Sequence, residues 1–198
     1  MPGKPKGLSC KEDALDPQQV TELLLVCSSL RDKFIIYSLI FAGLRVSELK
    51  HLQRAWFNAE EETITIPNRQ TCECKECKKK RNCKWQPKTK KGARTILIHP
   101  KLLPVMHEFL AGHEEIGLTR TRIWQIVQKL GRDAGIPHVY PHALRSTAAT
   151  IMAYKGVSGP TLQYDFGWAR LSSAEEYVKS DMKRALNETR EIYQKESV

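Results

Sequence analysis

The apolar positions of this 198-residue chain follow a helical rhythm toward both ends and a two-residue alternation only near the middle. In "LDPQQVTELLLVCSSL", Val20, Leu23, Leu24 and Cys27 recur on one face behind Asp16 and Pro17. This predicts a helix capped by Asp16 with Pro17 in its first turn. A second helix is expected over about 32–42, where "FIIYSLIFA" is apolar on nearly all sides, the pattern of a helix at the centre of a core. Gly43 can end it in a left-handed turn, and "RVSELKHL" starts a short third helix, so Arg45 falls in a tight connection. "AWFNAEEETITIP" reads as two strands around an acidic turn, and "RTILIHP" as a third. Helices are expected again over about 101–111, 119–134, 142–155, 160–166, 172–177 and 181–194. The fold class that follows is α+β: mainly helical, with a small antiparallel three-stranded sheet inserted early.

The segment joining the second and third strands breaks this pattern. "CECKECKKKRNC" places Cys72, Cys74, Cys77 and Cys83 within twelve residues. Four thiolates that converge tetrahedrally suit a soft divalent ion, so a structural zinc site is expected, with an iron–sulfur cluster as the alternative. The bland reading is a solvated, lysine-rich loop with reduced cysteines. A disulfide pair would need an oxidising compartment, which nothing in the sequence indicates. Cys10 and Cys27 stand apart, as an arm residue and a core residue.

Charge narrows the choice of partner. The chain carries +10 at pH 7 with a pI near 9.4, which favours a polyanion. Between Cys72 and Arg94 ten basic residues face only Glu73 and Glu76. Of these, Lys78, Lys79, Lys80, Arg81, Lys84, Lys90 and Lys91 are expected to lie along a DNA phosphate backbone, giving affinity without base readout. With 41% hydrophobic and 27% charged residues, wholesale disorder is excluded. The longest apolar run, about 34–44, is too short to cross a bilayer. "MPGKPKGLSCKEDALD" has basic residues with no apolar stretch behind them, so no secretory leader is expected. The expectation from composition and charge is a soluble, cytoplasmic protein with nucleic acid as its polyanion. Its domains are a basic flexible arm (1–14), one catalytic-size domain (15–180) with the Cys-rich insertion (70–86), and a C-terminal helix (181–198) with Met182, Leu186, Thr189 and Tyr193 on one face.

Three stretches together resemble the tyrosine recombinases, the phage-type integrases. "AGLRVSEL" is similar to their first arginine box and "HALRSTAAT" to their second. "LQYDFGWARLSSAEEYV" resembles the third, in which Gly167 precedes Trp168 and a tyrosine follows nine residues later. The resemblance implies that Arg45 and Arg145 clamp a scissile phosphate, with Glu48 orienting Arg45. It implies that His142 bonds a phosphate oxygen or assists proton transfer, and that Trp168 offers its indole N–H where a histidine is more common. Tyr177 would attack phosphorus, leaving a 3′-phosphotyrosyl link and a free 5′-hydroxyl, with no cofactor for the chemistry. A lysine of "KTKKGARTILI" would protonate the leaving oxygen: Lys88 by alignment, then Lys90, then Lys91. The implied partners are double-stranded DNA and further copies of the chain, four in a synapse, with the C-terminal helix exchanged between protomers. Members of the family usually carry a helical clamp domain ahead of the catalytic one, whereas about 15 residues precede the first helix here. Affinity is therefore expected from the arm, the insertion and the domain itself. The rival readings are a DNA-binding module that keeps the fold without chemistry, and a DNA relaxase of the type IB topoisomerase kind.

Overall fold

A computed structural model of the chain describes residues 13–81, 83–178, 190 and 193. Helix α1 (Pro17–Leu25) starts as expected, with Asp16 and Gln19 bonding each other's backbone N–H in a capping box. Helix α2 (Leu30–Phe41) begins two residues earlier than expected, because Ser29 accepts the Asp32 N–H and caps it there. Helix α3 (Val46–His51) follows at once, with Arg45 at its N-cap. Strands β1 (Phe57–Asn58), β2 (Thr63–Ile66) and, later, β5 (Arg94–Leu97) form the three-stranded antiparallel sheet in the order β1-β2-β5. Ile64 and Ile66 face the core, and Ile64 pairs with Ile96.

Between β2 and β5 the insertion is more ordered than its composition suggests. Strands β3 (Gln70–Thr71) and β4 (Lys84–Trp85) pair at its neck, and helix α4 (Lys75–Arg81) lies between them. Helices α5 (Leu103–Gly112), α6 (Arg120–Asp133), α7 (Pro141–Tyr154), α8 (Gly159–Asp165) and the single turn α9 (Ser172–Glu175) complete the fold. Only Asp13 and Ala14 of the arm are described. Asp13 takes a hydrogen bond from the Tyr140 hydroxyl, and the Leu15 N–H donates to Thr147 Oγ1 at 2.9 Å. The C-terminal helix expected over 181–194 lies outside the described residues, apart from Arg190 and Tyr193.

The packing has two unequal centres. The larger surrounds α2, whose Phe34, Ile35, Ile36, Leu39 and Ile40 are at most 2% exposed and which packs on α7, α5, α3, α6 and α1. Cys27 belongs here, and burial pushes its thiol up to about 12, with Asp32 adding to the effect. The smaller centre joins α7, α8 and α9 through Ala148, Ala149, Ala153, Leu162, Phe166, Ala174 and Tyr177. Phe34 has no exposed surface and stacks on Phe109 at 3.9 Å. Phe34→Ala is expected to lower unfolding stability by about 3–5 kcal/mol, read from denaturant midpoints with an unchanged slope.

Candidate active site and metal cluster

Glu48 is the centre of the first constellation. Its N3 position in α3 lets one carboxylate oxygen accept the Arg45 N–H at 2.9 Å, while the other takes Arg45 Nη1 at 2.7 Å. From β5, Arg94 reaches the same carboxylate with two N–H groups, both at 3.1 Å. Arg145 Nη1, from α7, stands 3.9 Å away. The Glu48 and Arg94 side chains are fully buried, Arg145 is 5% exposed and Arg45 19%. Burial by itself pushes the Glu48 carboxyl up. The charge and hydrogen bonds of Arg94, with the charges of Arg145 and Arg45, together outweigh it, and the group is held at about 2. Burial and the Arg45 charge push the Arg145 guanidinium down, and Glu48 pulls it back up.

Backbone carbonyls aim the arginines. Arg145 donates to Gly43 O and Phe166 O, and Arg45 Nη2 donates to Gly167 O at 2.9 Å. Arg94 donates to Asp165 O at 2.6 Å and Gly92 O at 2.8 Å. Two glycines make this convergence possible. At Gly43 (φ 56°) a Cβ would sit 2.6 Å from the Phe166 ring, and at Gly167 (φ 56°) it would meet Lys91 O at 2.9 Å and Gly92 Cα at 3.0 Å. The first and third boxes therefore touch through positions that admit no side chain.

Tyr177 is 7% exposed and lies in an aromatic ladder. Its ring stacks on Trp168 at 5.4 Å, Trp168 stacks on Phe166 at 4.8 Å, and the Arg145 guanidinium covers Phe166 at 4.9 Å. The Tyr177 hydroxyl pairs with Ser146 Oγ at 3.2 Å, so the residue after Arg145 holds the phenol. His142 is exposed in the first turn of α7, three residues before Arg145; the N-cap there is Tyr140.

The lysines divide. Lys88 opens onto a cleft of about 400 Å³ that it shares with Ser47, His51, Cys77, Trp85 and Arg120, on the side of the Cys-rich insertion. Its neighbour Thr89 instead reaches the arginine site, donating to Gly167 O at 3.2 Å. The turn Lys90–Gly92 abuts Gly167, with the Lys90 and Lys91 side chains exposed. Lys78, Lys79 and Lys84 are also exposed; Lys80 and Arg81 end α4, and nothing is described of their side chains. Arg94, which the sequence counts with this basic face, is removed from it by its pairing with Glu48.

The second constellation is built from the insertion and α3. Four ligand atoms, from His51, Cys72, Cys74 and Cys77, lie within 4.8 Å of one another. Cys83, expected as the fourth ligand, does not join them. It closes the turn after α4, in a left-handed backbone (φ 59°), with its N–H on Cys77 O and its O on the Cys72 N–H. No cysteine is in a disulfide among the described residues. His51 Nε2 stands 3.7 Å from Cys74 Sγ and 3.5 Å from Cys77 Sγ. Burial pushes the Cys77 thiol up to about 12. At Cys74 burial acts the same way, but the Cys77 N–H, the contact with His51, the Lys50 ammonium and Cys72 together pull it down, and the thiol is held at about 6. The group could hold a metal ion.

Residues 13–184 match the Phage integrase family. The chain belongs to that family. Among curated relatives, it is 28% identical over 194 residues to the tyrosine recombinase XerA of Pyrococcus horikoshii, covering 90% of this chain and 59% of that protein. It is 26% identical over 166 residues to the tyrosine recombinase XerD of Neisseria meningitidis, covering 81% and 56%. This integrase-family chain thus spans a little over half the length of these relatives. Among solved structures, a XerA recombinase superposes with a TM-score of 0.69 at 19% identity, over 98% of this chain and 66% of that one. A Tn1549 transposon integrase in complex with transposon right end DNA gives 0.68 at 18%, over 91% and 66%. The catalytic domain of bacteriophage HP1 integrase gives 0.60 at 16%, over 88% and 93%. The fold is that of a recombinase catalytic domain. No helix among the described residues is long and apolar enough to cross a membrane.

The sequence reading missed Arg94, Ser146 and His51. Ser146 was visible as the neighbour of Arg145, but nothing linear ties it to Tyr177. The depressed Glu48 carboxyl yields a pH prediction. Its folded value of about 2 lies below its unfolded value near 4.5, so its contribution is complete above pH 4.5 and disappears as pH falls toward 2. That contribution is about 3 kcal/mol. Glu48→Gln is expected to destabilise the protein by at least that much at pH 7, because three guanidiniums lose their counter-charge. The gap between the denaturant midpoints of parent and variant should narrow from pH 4.5 downward; a gap independent of pH would refute the ionised pairing.

Proposed function

We propose that this chain is the catalytic part of a site-specific DNA recombinase that cuts and rejoins double-stranded DNA through a 3′-phosphotyrosyl intermediate. One observation carries the reading: Arg45, Arg145 and Tyr177, far apart in sequence, converge around Glu48 and one aromatic ladder. Three guanidiniums against one carboxylate leave an excess of positive charge beside the place a phosphate would occupy. Such an excess favours a phosphodiester, and favours more strongly the additional charge on its non-bridging oxygens during displacement.

In the proposed reaction Tyr177 Oη forms a bond to phosphorus as the bond to the 5′-oxygen breaks. Arg45 and Arg145 hold the non-bridging oxygens, and Arg94 and Glu48 position Arg45. The Trp168 N–H supplies a further contact to phosphate, and His142 bonds a phosphate oxygen or assists the transfer of the phenolic proton. A lysine protonates the departing 5′-oxygen. Lys88 is the choice by alignment, whereas the abutment of the Lys90–Gly92 turn on Gly167 favours Lys90 or Lys91. The reverse attack by a 5′-hydroxyl on the phosphotyrosine rejoins a strand. One phosphodiester is exchanged for another, so no cofactor enters the chemistry. The exposed Lys78, Lys79 and Lys84 lie along the phosphate backbone, with Lys80 and Arg81 beside them on α4. A structural zinc ion belongs to the insertion and takes no part in the reaction. The chain works as a homo-oligomer, a tetramer pairing two sites, in the cytoplasm where its DNA is.

Incubation with nicked duplex carrying the cognate site is expected to yield a covalent protein–DNA adduct that Tyr177→Phe abolishes. Arg45→Ala and Arg145→Ala should each slow it by about 10²–10³-fold. Absence of an adduct on every duplex tried, with DNA bound, would favour a module without chemistry. Relaxation of plasmid without exchange between sites would favour a relaxase. Of Lys88→Ala, Lys90→Ala and Lys91→Ala, the variant that removes the general acid should be rescued by a 5′-bridging phosphorothiolate, whose thiolate leaves without a proton. If none is rescued, the lysine role is wrong.

Replacing Lys78 and Lys79 together with Ala should weaken DNA binding uniformly across sequences. It should also reduce the slope of log affinity against log salt by about 2 in fluorescence anisotropy. An unchanged slope would place both lysines away from DNA.

A further inference from the structure

We infer that His51, Cys72, Cys74 and Cys77 form one tetrahedral zinc site, with Cys83 outside it, and that the bound ion fixes the helix carrying Arg45 and Glu48. All four ligand atoms lie within 4.8 Å of one another, and the nitrogen-to-sulfur distances suit a small four-coordinate ion. With zinc–sulfur bonds of about 2.3 Å and zinc–nitrogen bonds of about 2.0 Å, a tetrahedral N–Zn–S arrangement puts nitrogen and sulfur about 3.5 Å apart. His51 Nε2 stands 3.5 Å from Cys77 Sγ and 3.7 Å from Cys74 Sγ.

The histidine is set for this role by its other nitrogen. Nδ1 lies 2.7 Å from Ser47 O, a carbonyl that can only accept, so Nδ1 carries the proton and the Nε2 lone pair faces the sulfurs. This is the outer hydrogen bond that metal-binding imidazoles ordinarily make. Trp85 stacks on the ring at 5.2 Å, and Gln70, bonded to His51 O at 2.9 Å and to Trp56 Nε1 at 2.7 Å, holds the backbone. On binding, each thiol gives up its proton, so three thiolates and a neutral imidazole around Zn²⁺ carry one net negative charge. Lys50 answers it: its side chain is 8% exposed and donates to Cys74 Sγ at 3.2 Å.

The ion would join two parts of the chain that are otherwise distant in sequence. His51 is the last residue of α3, and six residues of helical rise, about 9 Å, separate it from Arg45. A helix of one and a half turns has little stability of its own. It is held at its start by the Arg45–Glu48 capping box and at its end by His51. Metal binding therefore acts on the active site by position. This second part rests on the DNA-cleavage reading above for its activity readout, and on hydrogen exchange independently of it.

The test uses the purified chain with zinc, cobalt and chelator as probes. One zinc per chain is expected by elemental analysis, and cobalt substitution should give thiolate-to-cobalt charge-transfer absorption. His51→Ala and Cys77→Ser should each lower zinc affinity by about 10–100-fold or more, while Cys83→Ser binds as the parent does. Chelation should speed amide exchange across 46–51, and zinc should restore it; adduct formation should fall and recover in step. Loss of zinc in Cys83→Ser as complete as in Cys77→Ser would overturn the ligand set. Acid-labile sulfide with iron, or no metal at all, would overturn zinc. Unchanged exchange across 46–51 would overturn the coupling. A parent that binds one zinc and shows the exchange change yet never forms an adduct would refute the recombinase reading and leave the site standing.

Discussion

A carboxylate with no exposed surface is tolerable inside a protein only where cations surround it, and Glu48 meets that condition with three guanidiniums from three elements. Arg45 comes from the turn before α3, Arg94 from β5 and Arg145 from α7. Together they overcompensate its charge, and each also spends N–H groups on a backbone carbonyl of another element. The same network thus ties α3, β5 and α7 together and gathers three guanidiniums in one place. A substitution at any one of the four residues would disturb structure and chemistry together, which makes separate readouts of stability and cleavage necessary.

Much of this was legible in the linear pattern. The all-round apolar run of α2, the Thr-Ile alternation of β2 and the cap at Asp16 each point to their element for a local reason, and those elements form. The three boxes are local too, so Arg45, Glu48, Arg145, Trp168 and Tyr177 could be named and are found near one another. What was not legible depends on contacts across the fold. Arg94 looks like one more cation in a basic stretch until Glu48 is placed beside it. His51 looks like the end of a short helix until the insertion folds back onto it. Cys83 fits a linear cysteine count, but its left-handed turn commits it to closing the neck.

The insertion shows how a long connection between two paired strands can be ordered without a tight turn. Its two short strands and one helix bury few large side chains of their own, with Cys77 and Trp85 the main exceptions. Stability must therefore come from contacts with the body of the domain, through Trp56, Gln70, Lys50 and the Cys/His group. Lys78, Lys79 and Lys84 are left exposed by this arrangement, where they keep their hydration.

The two packing centres differ in kind as well as size. The centre around α2 interlocks branched and aromatic side chains, whereas four of the seven buried residues joining α7, α8 and α9 are alanines. Alanine faces allow close approach but give up little apolar area when separated. Tyr177 is therefore held less by the bulk of its packing centre than by two directed contacts, the stacking of its ring on Trp168 and the pairing of its hydroxyl with Ser146 Oγ. Its position is set by α7 and the segment around Trp168, apart from the core around α2.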